Sequence, residues 1–193
     1  MKNKKTFFII ALVFVLLIGG ATVLYRQLGK NIAAEQLATQ STNQSDESAA
    51  GETEQKIKAP EFTVYDADGN EVHLADYIGK PIVLNFWASW CGPCQSEMPD
   101  FHEKYLELGD DVHFLMINMT DGARETVESA SAFIAKNGYA FPVFYDTKSD
   151  AASIYGAYSL PTTFFIDADG YAIAQATGAI DAETLQRGLD MIK

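Results

Sequence analysis

From Ile82 to Ala88 the chain reads Ile-Val-Leu-Asn-Phe-Trp-Ala, apolar at every position but Asn85 and rich in β-branched and aromatic residues. That pattern is too short for a typical helix and too apolar for a half-exposed strand, so it predicts a strand buried on both faces. The spacing then becomes helical from about Gly92 to Leu108, with Pro99 inside the helix and Gly109 ending it. A proline there removes one hydrogen bond and predicts a kink. Val112 to Met119 reads as the next buried strand, which makes a βαβ unit with a parallel crossover. Apolar residues at Val127, Ala130, Phe133 and Ile134 predict a helix from Arg124 to Asn137, closed by Gly138. A short strand, Val143 to Tyr145, and a short helix, Ala151 to Tyr155, follow. Thr162 to Asp167 and Tyr171 to Thr177 flank the turn Ala168-Asp169-Gly170 as a hairpin, and Ala182 to Ile192 closes the chain as a helix. An earlier hairpin is predicted by Glu61 to Tyr65 and Glu71 to Leu74 around Asp68-Gly69-Asn70. The order is β-hairpin, βαβα, β, short α, ββα, which places the domain in the α/β class.

The front of the chain has a different texture. Lys2, Lys4 and Lys5 precede an apolar run from Phe7 to Leu24 interrupted only by Gly19, Gly20 and Thr22. A charged start followed by a run of that length is the pattern of a signal-anchor, predicted over residues 7–25 with residues 1–6 as a cytoplasmic tail. A cleaved signal peptide with Gly19-Gly20-Ala21 as its processing site is the alternative, and both send the rest of the chain out of the cytoplasm. The excess of lysine before the run agrees with a short tail inside and a domain on the extracytoplasmic side of the cell membrane. Residues 26–58 are rich in Ala, Gln, Ser, Thr, Glu and Asn and predict a flexible tether, with only a weak helical pattern from Ile32 to Leu37. Ala59-Pro60 marks the boundary of a single folded domain over residues 59–193.

Charge sharpens that division. The chain carries 14 basic and 26 acidic residues, and five of the basic ones fall in the first 30 positions, where there are no acids. Nine basic residues therefore face 26 acidic ones beyond that point, a formal charge of −17. Such a surface disfavours nucleic acid and anionic headgroups and mildly favours neutral or basic protein partners.

The candidate chemistry lies in Trp90-Cys91-Gly92-Pro93-Cys94, which holds the only two cysteines of the chain. Attack on a disulfide needs a thiolate, and a free cysteine with a pKa of about 8.5 is mostly protonated at neutral pH. Where the strand hands over to the helix, Cys91 would meet unpaired N–H groups and the positive end of the helix dipole, both of which favour its charged form. Cys91 is then the exposed nucleophile and Cys94, one turn on, the more buried resolving thiol. Pro93 suits the first helical turn and Gly92 allows close backbone approach. A structural disulfide is the first alternative, but bridging residues three apart closes a small loop and removes little unfolded-state entropy. Half of a metal site is the second, but a zinc site asks for four ligands, and the three histidines, His73, His102 and His113, are scattered. No metal and no cofactor beyond the Cys91–Cys94 pair is expected.

The run Phe86-Trp87-Ala88-Ser89-Trp90-Cys91-Gly92-Pro93-Cys94, with Pro99 and a later Leu160-Pro161-Thr162-Thr163-Phe164, resembles thioredoxin. Ala59-Pro60-Glu61-Phe62, Gly79-Lys80-Pro81, Glu97-Met98-Pro99 and extra helical sequence between Met119 and Pro142 narrow the resemblance to the membrane-anchored extracytoplasmic thioredoxins of the TlpA/ResA type, over residues 59–193. It implies a thioredoxin-like fold: a central mixed sheet flanked by helices, with an N-terminal β-hairpin and a central αβ insertion. It also implies that Pro161 is a cis-proline facing the cysteine pair and that the backbone of Leu160 pairs with an extended substrate. Trp90, Gly92 and Pro93 would form the contact surface around the nucleophile, with Trp87 in the core. The pattern departs from cytoplasmic thioredoxins at Asn85, where those usually have a buried aspartate that relays protons. Glu97, three residues after Cys94, is the candidate replacement, a third catalytic residue. The alternative for Glu97 is a solvated helix carboxylate.

The function this resemblance implies is that of a membrane-tethered thiol-disulfide oxidoreductase. Its expected direction is reduction of exported protein disulfides, such as the haem-site cysteines of apocytochrome c, with electrons from a membrane thiol donor. An oxidase that introduces disulfides into secreted proteins is the alternative within the class. A peroxiredoxin-like peroxidase and a non-catalytic metal-delivery or binding module are the alternatives outside it.

Overall fold

A computed structural model describes residues 37–39 and 56–193. The predicted tail, the signal-anchor over residues 7–25 and most of the tether lie outside the described residues. Among the described residues no helix is long and apolar enough to cross a membrane.

The elements are β1 (Leu37–Thr39), β2 (Ile57–Lys58), β3 (Thr63–Tyr65), β4 (Glu71–His73), a 3-10 turn (Leu74–Tyr77), β5 (Ile82–Trp87) and α1 (Gly92–Leu108). Then come β6 (His113–Asn118), α2 (Val127–Asn137), β7 (Val143–Tyr145), α3 (Asp150–Tyr155), β8 (Thr162–Ile166), β9 (Tyr171–Thr177) and α4 (Ala182–Ile192). They build one mixed sheet in the order β1-β9-β8-β5-β6-β7-β3-β4, with β2 also on β9. β5, β6 and β7 are parallel, as the predicted crossovers require, and the other pairings are antiparallel. This is the thioredoxin-like arrangement that the resemblance implies.

β5 lies at the centre and every one of its residues is buried. Its alternate side chains feed two separate cores, because helices cover both faces of the sheet. Val83 and Trp87 join Met98 and Phe101 of α1 and Leu185 and Leu189 of α4 on one face. Ile82, Leu84 and Phe86 join Ala151, Ala152 and Tyr155 of α3 and Phe62 and Val64 of β3 on the other. Asn85, by the same alternation, points to the α1 and α4 side. α4 approaches the sheet closely at Gly188, where an added Cβ would come within 2.2 Å of the buried Phe165 ring. At the far end of α1, Gly109 takes φ +53° and its N–H bonds the Tyr105 carbonyl, ending the helix as expected.

Three boundaries differ from the sequence reading. Leu37–Thr39 is an edge strand pairing with Ala174–Ala176, so these residues are neither tether nor helix, and Ile57–Lys58 pairs with Tyr171–Ala172. Both are tied by backbone bonds to residues more than a hundred positions away, which local patterning cannot register. α2 starts at Val127 rather than at Arg124, because Thr126 and Ser129 exchange side-chain and backbone bonds as a capping box. In front of it the Asp121 carboxylate accepts the N–H groups of Ala123, Arg124 and Glu125 at 2.7–2.9 Å and holds them in a loop. α1 continues across Pro99 to Leu108.

Candidate active site

Cys91 and Cys94 are joined as a disulfide, with Cα atoms 5.2 Å apart, at the point where β5 gives way to α1. Cys91 is the residue that caps the helix: its backbone is extended, its carbonyl accepts the Gln95 N–H at 3.0 Å and its Sγ accepts the Cys94 N–H at 3.2 Å. A donor already aimed at that sulfur, at the positive end of a 17-residue helix, stabilises negative charge there. Cys94 is fully buried, and Cys91 is only 5% exposed. The expectation of an openly exposed Cys91 is therefore corrected: in the oxidised pair its sulfur is reached through a cleft. Gly92 and Pro93 at the start of the helix are exposed beside it.

That cleft, of about 540 Å³, is lined by Trp90, Gly92 and Pro93 together with Met119, Arg124, Tyr158 and Leu160. The Leu160–Pro161 bond is cis, as the resemblance implied. Leu160 lines the cleft together with Cys91, whereas Pro161 is buried and its carbonyl accepts the Gly178 N–H at 2.8 Å. Trp90 is 41% exposed and Tyr158 81%, so two exposed aromatic side chains line the cleft with Cys91. The Arg124 guanidinium lies 3.5 Å from the centre of the Trp90 ring. Trp87 is in the core, as expected.

One helical turn from Cys94 lies a buried hydrogen-bonded group of Glu97, Asn85, Thr163 and the Ile180 backbone. Glu97, on the face of α1 that carries Cys94, is 2% exposed, which overturns the alternative of a solvated helix carboxylate. Its Oε1 accepts the Asn85 amide at 2.9 Å and its Oε2 the Ile180 N–H at 3.0 Å. The other Asn85 amide hydrogen goes to Thr163 Oγ1 at 2.9 Å, across the β5–β8 pairing that sets Asn85 opposite Thr163. Burial pushes the Glu97 carboxyl up to about 7, against the pull of these two donors, so it can take up and release a proton near neutrality. Among the described residues Asn85 Oδ1 has no donor, and a half-turn of that amide would present it to the O–H of a neutral Glu97.

Sequence reasoning missed a second buried carboxylate beside the pair. Glu125 is fully buried. Its Oε1 accepts the Ser89 N–H at 2.8 Å and the Asn118 amide at 2.7 Å, and its Oε2 accepts the Ser89 hydroxyl at 2.6 Å. Thr120 in turn bonds Asn118 Oδ1 at 2.7 Å, and Gln95 Nε2 bonds the Ser89 carbonyl at 2.6 Å. Glu125 comes 31 residues after Cys94 in a polar loop, where no spacing argument links it to the cysteines. His73, His102 and His113 are half-buried in separate places, and among the described residues no three His, Cys, Asp or Glu side chains group as metal ligands.

Residues 56–174 match the AhpC/TSA family. The thiol-disulfide oxidoreductase ResA of Geobacillus thermodenitrificans is 36% identical over 136 residues, covering 70% of this chain and 76% of the relative. Its namesake from Bacillus thuringiensis strain Al Hakam is 38% identical over 138 residues, with the same coverage. Among solved structures, a DsbF homologue from Corynebacterium diphtheriae superposes with a TM-score of 0.64 at 28% identity, covering 79% of this chain and 98% of that one.

Proposed function

Since the chain belongs to the AhpC/TSA family and, within it, to the ResA-type thiol-disulfide oxidoreductases, we propose that it reduces disulfides of exported proteins from the extracytoplasmic side of the membrane. The observation that carries the reading is the placement of Cys91: its sulfur caps α1, receives the Cys94 N–H, and the residue lines a cleft together with Leu160 and Trp90.

In the reduced protein the Cys91 thiolate attacks one sulfur of a substrate disulfide lying along Leu160. A Cys91–substrate disulfide forms, and the first substrate sulfur leaves as a thiolate and is protonated. Cys94 then gives up its proton, attacks Cys91 Sγ and releases the second substrate thiol, closing the disulfide seen here. The substrate gains two electrons and two protons, and a membrane dithiol donor restores the pair by the reverse exchange. Glu97 is the acid-base for Cys94: it shares a buried helix face with that residue, and its carboxyl titrates near the working pH. The electrons pass through the two sulfurs, and the proton of Cys94 through Glu97. In this reading residues 7–25 are the signal-anchor that holds the domain at the membrane, and apocytochrome c haem-site cysteines are the favoured substrates.

Two measurements test this. Equilibrating the pair against glutathione is expected to give a potential near that of thioredoxin, about −270 mV, and a value above about −180 mV would replace reduction by oxidation. Expression of C94S in the native host leaves substrates linked to Cys91. Apocytochrome c among them supports the specific reading, and a spread of unrelated secreted proteins replaces it with a general reductase.

A further inference from the structure

Glu125 has no part in the exchange, yet it is the most heavily bonded buried side chain next to it. Three donors converge on its carboxylate, and two of them belong to Ser89, the residue before Trp90. The third, Asn118, ends β6, so the bonds tie the turn after β5 to the neighbouring strand. Arg124, adjacent in sequence, takes no part in these bonds and instead holds its guanidinium 3.5 Å over the centre of the half-exposed Trp90 ring. Asp121 accepts three successive N–H groups of their loop, those of Ala123, Arg124 and Glu125, which ties the backbone of both residues to one carboxylate. Trp90 is thus held from two directions: its backbone through Ser89 and Glu125, and its ring through Arg124.

We propose that Glu125 is a positioning residue that locks the Ser89–Trp90 rim and the Arg124 cover into one rigid unit, and so sets how tightly a protein disulfide is gripped beside Cys91. Cys91 itself is oriented by the α1 cap, a separate set of bonds. The inference therefore predicts an effect on substrate binding rather than on sulfur chemistry, for either direction of electron flow.

The test is steady-state reduction of insulin by the purified full-length chain, with dithiothreitol as donor. E125Q keeps the shape and one acceptor oxygen, and is expected to raise KM for insulin about tenfold with kcat changed less than about threefold. It should also move the indole N–H resonance of Trp90, which a change in stability alone would not do. S89A deletes only the 2.6 Å hydroxyl bond and, folding normally, should raise KM by about threefold. Adding R124A to E125Q should raise KM no further than E125Q alone, because both act through one unit. Unchanged KM and an unchanged Trp90 resonance in S89A and E125Q would overturn the proposal, as would a fall in kcat at constant KM. Should E125Q fail to fold, the S89A result decides.

Discussion

Two buried carboxylates flank the cysteine pair, and they are built differently. Glu97 sits one helical turn from Cys94 among Asn85, Thr163 and the Ile180 N–H, with two donors and a desolvated site that raises its carboxyl to about 7. Glu125 has three donors, one a backbone N–H of the active-site turn itself. Burial of a carboxylate thus serves two ends within one site. With two donors it yields the group proposed to change charge during turnover, and with three donors, two of them from Ser89 of the turn, it yields a clamp on the backbone. The difference lies in which donors are present, since both side chains are almost equally hidden.

The most severe way to probe that contrast is to remove the clamp. E125A leaves the Ser89 N–H, the Ser89 hydroxyl and the Asn118 amide without their acceptor, and each such group costs about 1–3 kcal/mol. A loss of several kcal/mol is expected in urea unfolding, and a loss below 1 kcal/mol would mean that the turn holds itself.

Glu97 makes the opposite prediction, visible in pH dependence. Its folded pKa, about 7, lies above the ordinary 4.5, so the folded state binds this proton more tightly. The resulting stabilisation is complete below about pH 4.5 and disappears as pH rises through 7, amounting to about 3 kcal/mol. Asp146, also raised by burial, adds in the same direction, so the comparison with E97Q isolates Glu97. The wild type should lose stability between pH 5 and 8 relative to E97Q, and parallel stability curves would show that Glu97 does not titrate there.

A smaller effect separates both carboxylates from the scaffold. G188A drives a methyl into the Phe165 ring and should cost about 1–3 kcal/mol by overpacking. It should do so without altering the pH dependence just described. A changed pH profile in G188A would mean that the Glu97 site responds to any loosening of α4.

How much of this was legible in the sequence follows the range of the interactions. The hydrophobic periods of β5, β6, β8, β9, α1 and α4 place those elements to within a residue or two, because each is specified by its own buried face. The cysteine spacing gives the helix cap directly. Glu97 is three residues from Cys94 on the same helix, so it could be singled out, although its burial could not. The rest depends on contacts between distant segments. Leu37–Thr39 carries no periodicity and is a strand only because β9 offers it an edge. Neither the junction of β3 with β7 nor the reach of Glu125 back to Ser89 leaves a local pattern. A buried acid in a polar loop is, in sequence, indistinguishable from a solvated one.

The contrast between the proton-handling and backbone-holding carboxylates is tested most directly by the rate at which Cys94 resolves a preformed Cys91 mixed disulfide, measured from pH 5 to 9 in the wild type, E97Q and E125Q. The wild type and E125Q should both show a break near pH 7, and E97Q should lose it, with a rate at pH 7 lower by about a hundredfold. An E97Q profile that overlays the wild type, or a break that vanishes in E125Q instead, would contradict the assignment.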